Sequence, residues 1–303
     1  MNDAWRSRPA GSRPAGARDA RVETSPPTAA PVRKGREFVF SREDFERIRT
    51  LIHRHAGIAL SPAKQDMVYS RLTRRLRSCG DSSFAQYLTR LERDKREWEA
   101  FVNALTTNLT SFFREAHHFD LLAEQLRALG TARPIQIWCC AASTGEEPYS
   151  IAIAACEAFK TLSPPVHILA TDINTDVLDT ARLGEYDAER LARVSPARVQ
   201  QYFRREERDG QTLYRVKREL QQLVTFRPLN LLDPVWSVRG PLDAIFCRNV
   251  MIYFDKDTQY DILKRFVPVL RKDGALYAGH SESFQHAADL FRPVGRTVYK
   301  PAT

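Results

Sequence analysis

The residues best suited to chemistry lie where an apolar stretch of the chain breaks into a small-residue turn. The segment "IWCCAASTGEEPYSIAIA", residues 137–154, has the pattern of a buried strand, a turn and a helix. In a phosphate-binding protein such a turn presents backbone N–H groups to the anion. A nearby Lys or Arg then adds positive charge that stabilises the bound phosphate. Here two acids, Glu146 and Glu147, stand at the helix start, and Gly145 is the single glycine of the turn. A pyrophosphate would meet unfavourable negative charge here.

A third acid, Asp172, ends the strand-like stretch that follows along the chain, in "ATDIN". In doubly wound sheets the ligand binds at the carboxyl ends of the strands, and an acid after the second strand commonly binds ribose hydroxyls. A nucleoside with a positively charged end fits these acids better than a dinucleotide does. S-adenosylmethionine, with its ribose, sulfonium and ammonium groups, meets that description. The alternative for the two glutamates is that they only favour the helix dipole.

Composition limits the class of protein. The chain has 303 residues, of which 43% are hydrophobic, enough for one large or two modest domains. It contains no run of eighteen apolar residues and no apolar N-terminal segment, so we expect a cytoplasmic protein without membrane insertion. The five cysteines form no CxxC and the seven histidines no HExxH, so we expect neither disulfides nor a metal site. The net charge of +9 suggests an acidic partner.

The first part of the chain divides into a tail and a helical region. Residues 1–37 repeat "SRPAG" and hold five prolines and eight Lys or Arg, which predicts a disordered basic tail rich in Pro, Ala and Arg. Residues 38–105 read as a small all-α domain. Its first helix has Ser41 as N-cap and Gly57 as stop, and its second places Val68, Leu72 and Leu76 one turn apart.

Residues 106–303 alternate strand-like and helix-like stretches, which predicts an α/β domain with a parallel sheet covered by helices. One region departs from this alternation. Two strand-like pieces flank Asp209 and Gly210, a dipeptide typical of hairpin turns, so we predict an inserted β-hairpin subdomain at about residues 200–218.

Several motifs, taken in order, resemble the CheR family of bacterial chemotaxis receptor glutamate O-methyltransferases. They are "TTNLTSFFREAHHF" (106–119), "AASTGEEPYSIA" (141–152), "ATDIN" (170–174), "NLL" (230–232), "FCRNVMIYFD" (246–255) and "AGHSESF" (278–284). The resemblance runs from about Phe38 to Lys300. It implies an all-α N-terminal domain followed by a Rossmann-like domain, with a small β-subdomain, that uses S-adenosylmethionine and releases S-adenosylhomocysteine. The implied activity forms glutamate methyl esters on receptors for sensory adaptation.

The resemblance also implies roles for individual residues. The implied cofactor contacts are Asn108, Thr110, Arg114, Glu147, Asp172, Asn230, Leu231, Arg248 and Asn249. Arg114 and Tyr253 are implied to lie nearest the chemistry; the alternatives are a surface salt bridge for Arg114 and a core aromatic for Tyr253. A glutamate side chain has a pKa of about 4.3 and is already a carboxylate at neutral pH, so no general base is required. We expect the enzyme to accelerate methyl transfer mainly by positioning the two reactants in a site that excludes water.

The predicted second helix carries a basic face formed by Arg71, Arg74, Arg75 and Arg77. Charge runs of this kind are usually only solvated, but the family uses this domain against the acidic methylation helices of chemoreceptors. Those cytoplasmic helices are therefore the expected partner. In some members the β-subdomain binds a receptor C-terminal pentapeptide by adding it to an edge strand, which makes such a peptide a candidate partner. We expect a monomer.

Two other functions remain open from the residues. A nucleic-acid methyltransferase would suit the basic balance, but enzymes that methylate exocyclic base nitrogens typically carry Asn or Asp followed by Pro-Pro and an aromatic. No such stretch occurs in the chain, and we expect no nucleic-acid partner. A non-catalytic protein that binds S-adenosylmethionine and signals through a partner is the other reading. The presence of Arg114, Asp172 and Tyr253 favours an enzyme.

Overall fold

The computed structural model describes residues 36–302 of the chain. The predicted tail therefore lies outside the described residues except for Arg36 and Glu37. The helices of the first region are α1 (Arg42–Ala56), α2 (Gln65–Cys79), α3 (Phe84–Leu91) and α4 (Lys95–Leu105). Ser41 caps α1 in a reciprocal arrangement with Asp44, and Gly57 ends it with φ at 68°.

The helices α1 to α4 pack around their own apolar core. Val68, Leu72 and Leu76 are fully buried, as their one-turn spacing predicts, and they meet Phe84 of α3 and Phe101 of α4 in the same cluster. The amphipathic pattern is therefore sufficient to specify this all-α unit.

The larger region alternates strands and helices. Its strands are β1 (Ile135–Cys139), β2 (Val166–Asp172), β3 (Glu185–Tyr186), β4 (Phe203–Arg208), β5 (Gln211–Val216), β6 (Val224–Pro228), β7 (Leu242–Cys247), β8 (Leu270–Ala278), β9 (Phe291–Gly295) and β10 (Val298–Pro301). Its helices are α5 (His117–Leu129), α6 (Glu146–Phe159), α7 (Thr175–Leu183), α8 (Pro196–Tyr202), α9 (Arg218–Gln221) and α10 (Lys256–Phe266).

Seven of these strands form the main sheet in the order β6-β2-β1-β7-β8-β10-β9. The pairs among β6, β2, β1, β7 and β8 are parallel, whereas β10 runs antiparallel to β8 and β9. This confirms the predicted α/β class with its mostly parallel sheet, although the sequence reading did not identify β6, β9 or β10. The parallel order brings the carboxyl ends of β6, β2, β1 and β7 to one edge, where doubly wound sheets bind ligands.

A second sheet of three strands, ordered β3-β5-β4, lies between α7 and β6 in the chain. The hairpin of β4 and β5 turns at Asp209 and Gly210, both with positive φ. The hairpin prediction missed β3, a two-residue strand that pairs with β5. Tyr186 of β3 donates its hydroxyl to the Thr144 carbonyl at 2.8 Å, which ties this small sheet to the turn before α6.

The arginines of α2 do not form the uniform outward basic face that the helical spacing suggested. Arg75 makes a two-point ion pair with the buried Glu97 at 3.0 and 2.7 Å. Arg71 donates to the carbonyls of Ala104 and Thr106 at the end of α4. The spacing could not reveal these partners because they lie on another helix.

The two remaining arginines of this set are exposed. Arg77 pairs with Glu37, and Arg74 makes no ion pair with any residue in the range 36–302. Arg74 is thus the member of the set whose charge is least compensated.

Within residues 36–302, no helix combines the length and apolar character needed to cross a bilayer.

Candidate functional site

A cavity of about 380 Å³ lies between the helical region and the edge of the main sheet. Residues that follow four adjacent strands line it: Leu229 after β6, Asp172 at the end of β2, Cys140 after β1 and Arg248 after β7. All ten residues that the sequence analysis assigned to cofactor binding or chemistry line this one cavity: Asn108, Thr110, Arg114, Glu147, Asp172, Asn230, Leu231, Arg248, Asn249 and Tyr253.

Asp172 is a buried acid of the cavity, with 8% of its surface exposed. Its two carboxylate oxygens each accept a backbone N–H, from Ser143 and from Asn174, both at 2.9 Å. Burial raises the pKa of Asp172, and these N–H groups oppose the rise. Asp172 makes no ion pair with a described residue, so its remaining lone pairs are open to hydroxyl donors.

The two glutamates at the start of α6 have different surroundings. Glu146 is fully buried, pairs with Arg190 and accepts the Thr144 hydroxyl at 2.6 Å; it does not line the cavity. Glu147 lines the cavity and pairs with Arg248. Gly145 has φ at 99°, and a side chain there would collide with the Tyr186 hydroxyl, so this turn requires glycine. The structure thus separates a structural acid from an acid of the site.

Arg248 is the centre of a buried ionic network. It pairs with Glu147, lies 3.3 Å from Glu115 and donates to the Arg114 carbonyl. Burial alone would lower the pKa of Arg248, but the charges of the two glutamates raise it. Burial alone would raise the pKa of Glu115, but hydrogen bonding from His280 and the charge of Arg248 lower it to about 2. The two carboxylates hold the guanidinium in place from two sides.

Glu282 positions the loop after β7 and was missed by the sequence analysis. It is buried, and its carboxylate accepts the backbone N–H groups of Asn249 and Val250 at 3.0 Å and of Met251 at 2.8 Å, as well as that of Gly279. Asn249 has φ at 57° in this loop. Three of these partners, in the loop after β7, are backbone N–H groups about thirty residues upstream, so no side-chain pattern could have signalled them.

Arg114 and Tyr253 reach the cavity from different loops. Arg114 is half-buried, donates to the Leu109 carbonyl at 3.0 Å and makes no ion pair within residues 36–302, contrary to the surface salt-bridge alternative. Its neighbours Phe113 and Glu115 have φ at 53° and 58°, a conformation that is uncommon and costly for such residues. Tyr253 is half-buried rather than a core aromatic.

The helical region closes the other side of the cavity. Ala59 donates its N–H to the Tyr253 carbonyl at 2.9 Å, and the Asn230 amide donates to the His55 carbonyl at 2.7 Å. The Ser143 hydroxyl donates to the Asn108 carbonyl at 2.9 Å. These bonds cross between the regions, so the linker after α1 and the segment after α4 are fixed against the sheet edge.

The residues present fit S-adenosylmethionine on two grounds. Asp172 supplies buried acceptors at the end of β2, where ribose hydroxyls need them. Glu147 has its charge partly balanced by Arg248, so a cationic ligand meets neighbouring carboxylate oxygens without an unpaired buried charge. A pyrophosphate would instead meet Glu147 and Asp172 without a phosphate-binding glycine loop.

The buried histidine nearest this network lies outside the cavity. His118 contacts the Thr297 hydroxyl at 2.8 Å and packs edge-on against Tyr277. Burial and the charge of Arg248 lower the pKa of His118 to about 3. It is therefore a neutral packing residue near neutral pH.

Comparison with family models identifies the class of protein that this fold and site define. Residues 108–300 match "CheR methyltransferase, SAM binding domain", and residues 43–106 match "CheR methyltransferase, all-alpha domain". The chain is an S-adenosylmethionine-dependent methyltransferase.

Full-length relatives narrow this to one family. A chemotaxis protein methyltransferase 2 of Pseudomonas aeruginosa is 54% identical over 91% of this chain and 99% of its own length. Chemotaxis protein methyltransferases of Escherichia coli and Salmonella typhimurium are 52% and 49% identical, over 84% and 90% of this chain and 89% and 94% of theirs. The chain belongs to the CheR methyltransferase family.

Proposed function

We propose that this enzyme transfers the methyl group of S-adenosylmethionine to the γ-carboxylate of specific glutamates in the cytoplasmic helices of chemoreceptors. The products are glutamate methyl esters, formed for sensory adaptation in chemotaxis, and S-adenosylhomocysteine. The observation that carries the proposal is the meeting of Asp172, Glu147, Arg114 and Tyr253 in one cavity at the sheet edge. The names of the relatives support the chemotaxis setting.

Each side of the cavity has a different task in this proposal. Asp172 accepts the ribose hydroxyls, and Glu147, held by Arg248, faces the charged end of the cofactor. The half-buried, unpaired guanidinium of Arg114 attracts and orients the acceptor carboxylate, and the Tyr253 hydroxyl fixes one of the two reactants. Asn108, Thr110, Asn230, Leu231 and Asn249 complete the cofactor walls.

The reaction requires no proton transfer from the acceptor. When bound, the cofactor supplies a methyl group on a positively charged sulfur, and the acceptor oxygen is already anionic. Opposite charges are therefore neutralised as methyl transfer proceeds. The reaction is favoured in a cavity that holds the reactants in line and excludes water. The network around Arg248 and Glu282 contributes by fixing the loops that carry Arg114 and Tyr253.

The partner proposal is centred on α2 and the small sheet. The exposed Arg74, with Arg77 beside it, presents positive charge to the acidic methylation helices, while Arg71 and Arg75 support α2 from within the helical region. Strand β4 is an edge of the small sheet, so a receptor C-terminal pentapeptide could pair along it. We further propose that the enzyme acts as a monomer in the cytoplasm, where these receptor segments lie.

The test is the chemical lability of the product. Purified enzyme is incubated with methyl-labelled S-adenosylmethionine and a receptor cytoplasmic fragment, and the product is treated with mild alkali. We expect volatile labelled methanol, because carboxyl esters hydrolyse readily, and no label on a matched fragment whose acceptor glutamates are replaced by alanine.

Three outcomes would contradict the proposal. Label that resists alkali would indicate N-methylation, and transfer to nucleic acid but not to receptor would favour the nucleic-acid alternative. Binding of the cofactor without transfer to any receptor fragment would favour the non-catalytic reading.

A further inference from the structure

Two large apolar side chains are exposed where they line the cavity. Leu109 is 80% exposed and Ile252 is 49% exposed. Among the large apolar side chains that are exposed in residues 36–302, five others lie away from the cavity: Val39, Leu121, Leu183, Val235 and Val294. Scattered exposed apolar residues are ordinary, but a pair at the opening of a catalytic cavity requires an explanation.

Each of the two residues is fixed next to a residue of the proposed chemistry. Leu109 lies between Asn108 and Thr110, which are half-buried, and its carbonyl accepts a hydrogen bond from Arg114 at 3.0 Å. Ile252 immediately precedes Tyr253 in the turn Met251–Tyr253, which Glu282 anchors through the Met251 N–H. The side chains are therefore held at the opening on backbone that the site itself fixes.

We infer that Leu109 and Ile252 form an apolar rim that contacts the receptor helix on either side of its acceptor glutamate. The inference rests on the proposed function. An acceptor side chain that enters the cavity from a folded helix brings its helical neighbours onto the opening. Those neighbours, one turn before or after the glutamate, must cover the rim and exclude water from the reacting atoms.

The rim also specifies the chemistry of the segment it accepts. Leucine and isoleucine offer no hydrogen bonds, so small aliphatic residues next to the acceptor fit them and charged residues do not. Arg74 attracts acidic helices in general, whereas the rim selects which glutamate of such a helix can enter. Selection by desolvated apolar contact and attraction by charge are separable contributions.

The experiment measures steady-state methylation of a receptor cytoplasmic fragment by full-length Leu109→Ala and Ile252→Ala enzymes. Leu183→Ala and Val294→Ala are matched controls, because these side chains are 62% and 44% exposed but lie away from the cavity. We expect KM for the fragment to rise about tenfold for each rim variant, with little change in kcat, since each substitution removes three side-chain carbons that the contact buries in part. The control variants should have the wild-type KM. The Leu109→Met variant should show only a small part of the rise in KM that Leu109→Ala shows.

The substrate provides a second, independent readout. Replacing the aliphatic neighbours of the acceptor glutamate with serine should raise KM for wild-type enzyme but add little to the defect of a Leu109→Ala, Ile252→Ala double variant. Such non-additivity identifies direct contact. Additive effects would place the contact elsewhere and overturn the inference.

Four further outcomes would also overturn it. If the rim variants methylate the fragment with wild-type KM, the rim makes no contact with the receptor, although the proposed function stands. If S-adenosylhomocysteine affinity, measured by calorimetry, falls by the same factor as the receptor KM rises, the residues serve the cofactor instead. If sedimentation shows a wild-type dimer that Leu109→Ala dissociates, the rim is a self-association surface. A wild-type enzyme that forms no alkali-labile ester would refute the proposed function itself and the inference with it.

Discussion

Arg248 and Arg74 carry the same charge in opposite environments. Arg248 is 3% exposed and is surrounded by Glu147 and Glu115 at the end of β7, whereas Arg74 on α2 is exposed and unpaired within residues 36–302. A buried guanidinium is stabilising only while its partners remain, because an uncompensated buried charge is very costly. An exposed charge acts at long range and is screened by salt. We therefore assign Arg248 to the architecture of the site and propose that Arg74 acts in the encounter with the receptor.

The largest effect is expected from breaking the buried network. Arg248→Met should lower the free energy of unfolding by roughly 3 to 5 kcal/mol, because Glu147 and Glu115 would be left as buried carboxylates without their cation. Urea denaturation measures this change in the free energy of unfolding. The matched control is Arg205→Met, which removes an exposed ion pair with Glu207 and should change stability little. A loss below about 1 kcal/mol for Arg248→Met would show that solvent or rearrangement compensates the acids.

A large kinetic effect is expected at Arg114, without a comparable loss of stability. Arg114→Ala should reduce the single-turnover rate at saturating cofactor by on the order of a hundredfold, because misplacing a reactant costs about that much. Rapid-quench measurement of ester formation, beside an unfolding curve, separates the two effects. Near wild-type rates would return Arg114 to a surface role, and exposed Arg239→Ala, away from the cavity, serves as the control.

A smaller effect is expected on cofactor affinity at Asp172. Asp172→Ala should weaken S-adenosylhomocysteine binding by roughly 1.5 to 3 kcal/mol, the value of a hydrogen bond to a charged group in a partly dry site. Calorimetric titration of the folded variant is the measurement, with exposed Asp273→Ala as control. Unchanged affinity would remove Asp172 from the cofactor site.

The smallest effect is expected from Arg74, the exposed arginine of the two compared. Arg74→Glu should raise KM for the receptor fragment severalfold at low salt and leave cofactor affinity unchanged, because opposing charges steer encounter. Arg75 is unsuitable for this test, since its reversal would set two carboxylates together at the buried Glu97. Arg292→Glu on strand β9 is the matched charge reversal. Equal receptor affinity for wild type and Arg74→Glu at low salt would refute docking through α2.

Local signals in the sequence predicted much of the fold. Ser41 and Gly57 mark the ends of α1, and the spacing of Val68, Leu72 and Leu76 identifies the buried face of α2, because caps and periodicity act within a few residues. Strand β3 was missed because two residues are too short to show alternation. Strands β6, β9 and β10, of four or five residues each, were missed as well.

The sequence pointed to residues that line the cavity, but not to the contacts that hold them there. The motif resemblance selected Glu147 over Glu146, yet the Arg190 partner that makes Glu146 structural lies 44 residues away. The pairing of Arg75 with Glu97 and the backbone contacts of Glu282 are likewise long-range. Such contacts depend on how elements pack, so spacing along the chain carries no trace of them.

The most direct test of the division between architecture and encounter is the salt dependence of two rates in one experiment. Ester formation on the receptor fragment is followed at 0.05 and 0.5 M salt, as kcat/KM and as the single-turnover rate with both substrates saturating. We expect kcat/KM to fall severalfold with salt while the saturated rate stays constant, because the exposed charges are screened and the buried network is not. Equal loss in both rates, or no loss in kcat/KM, would contradict it.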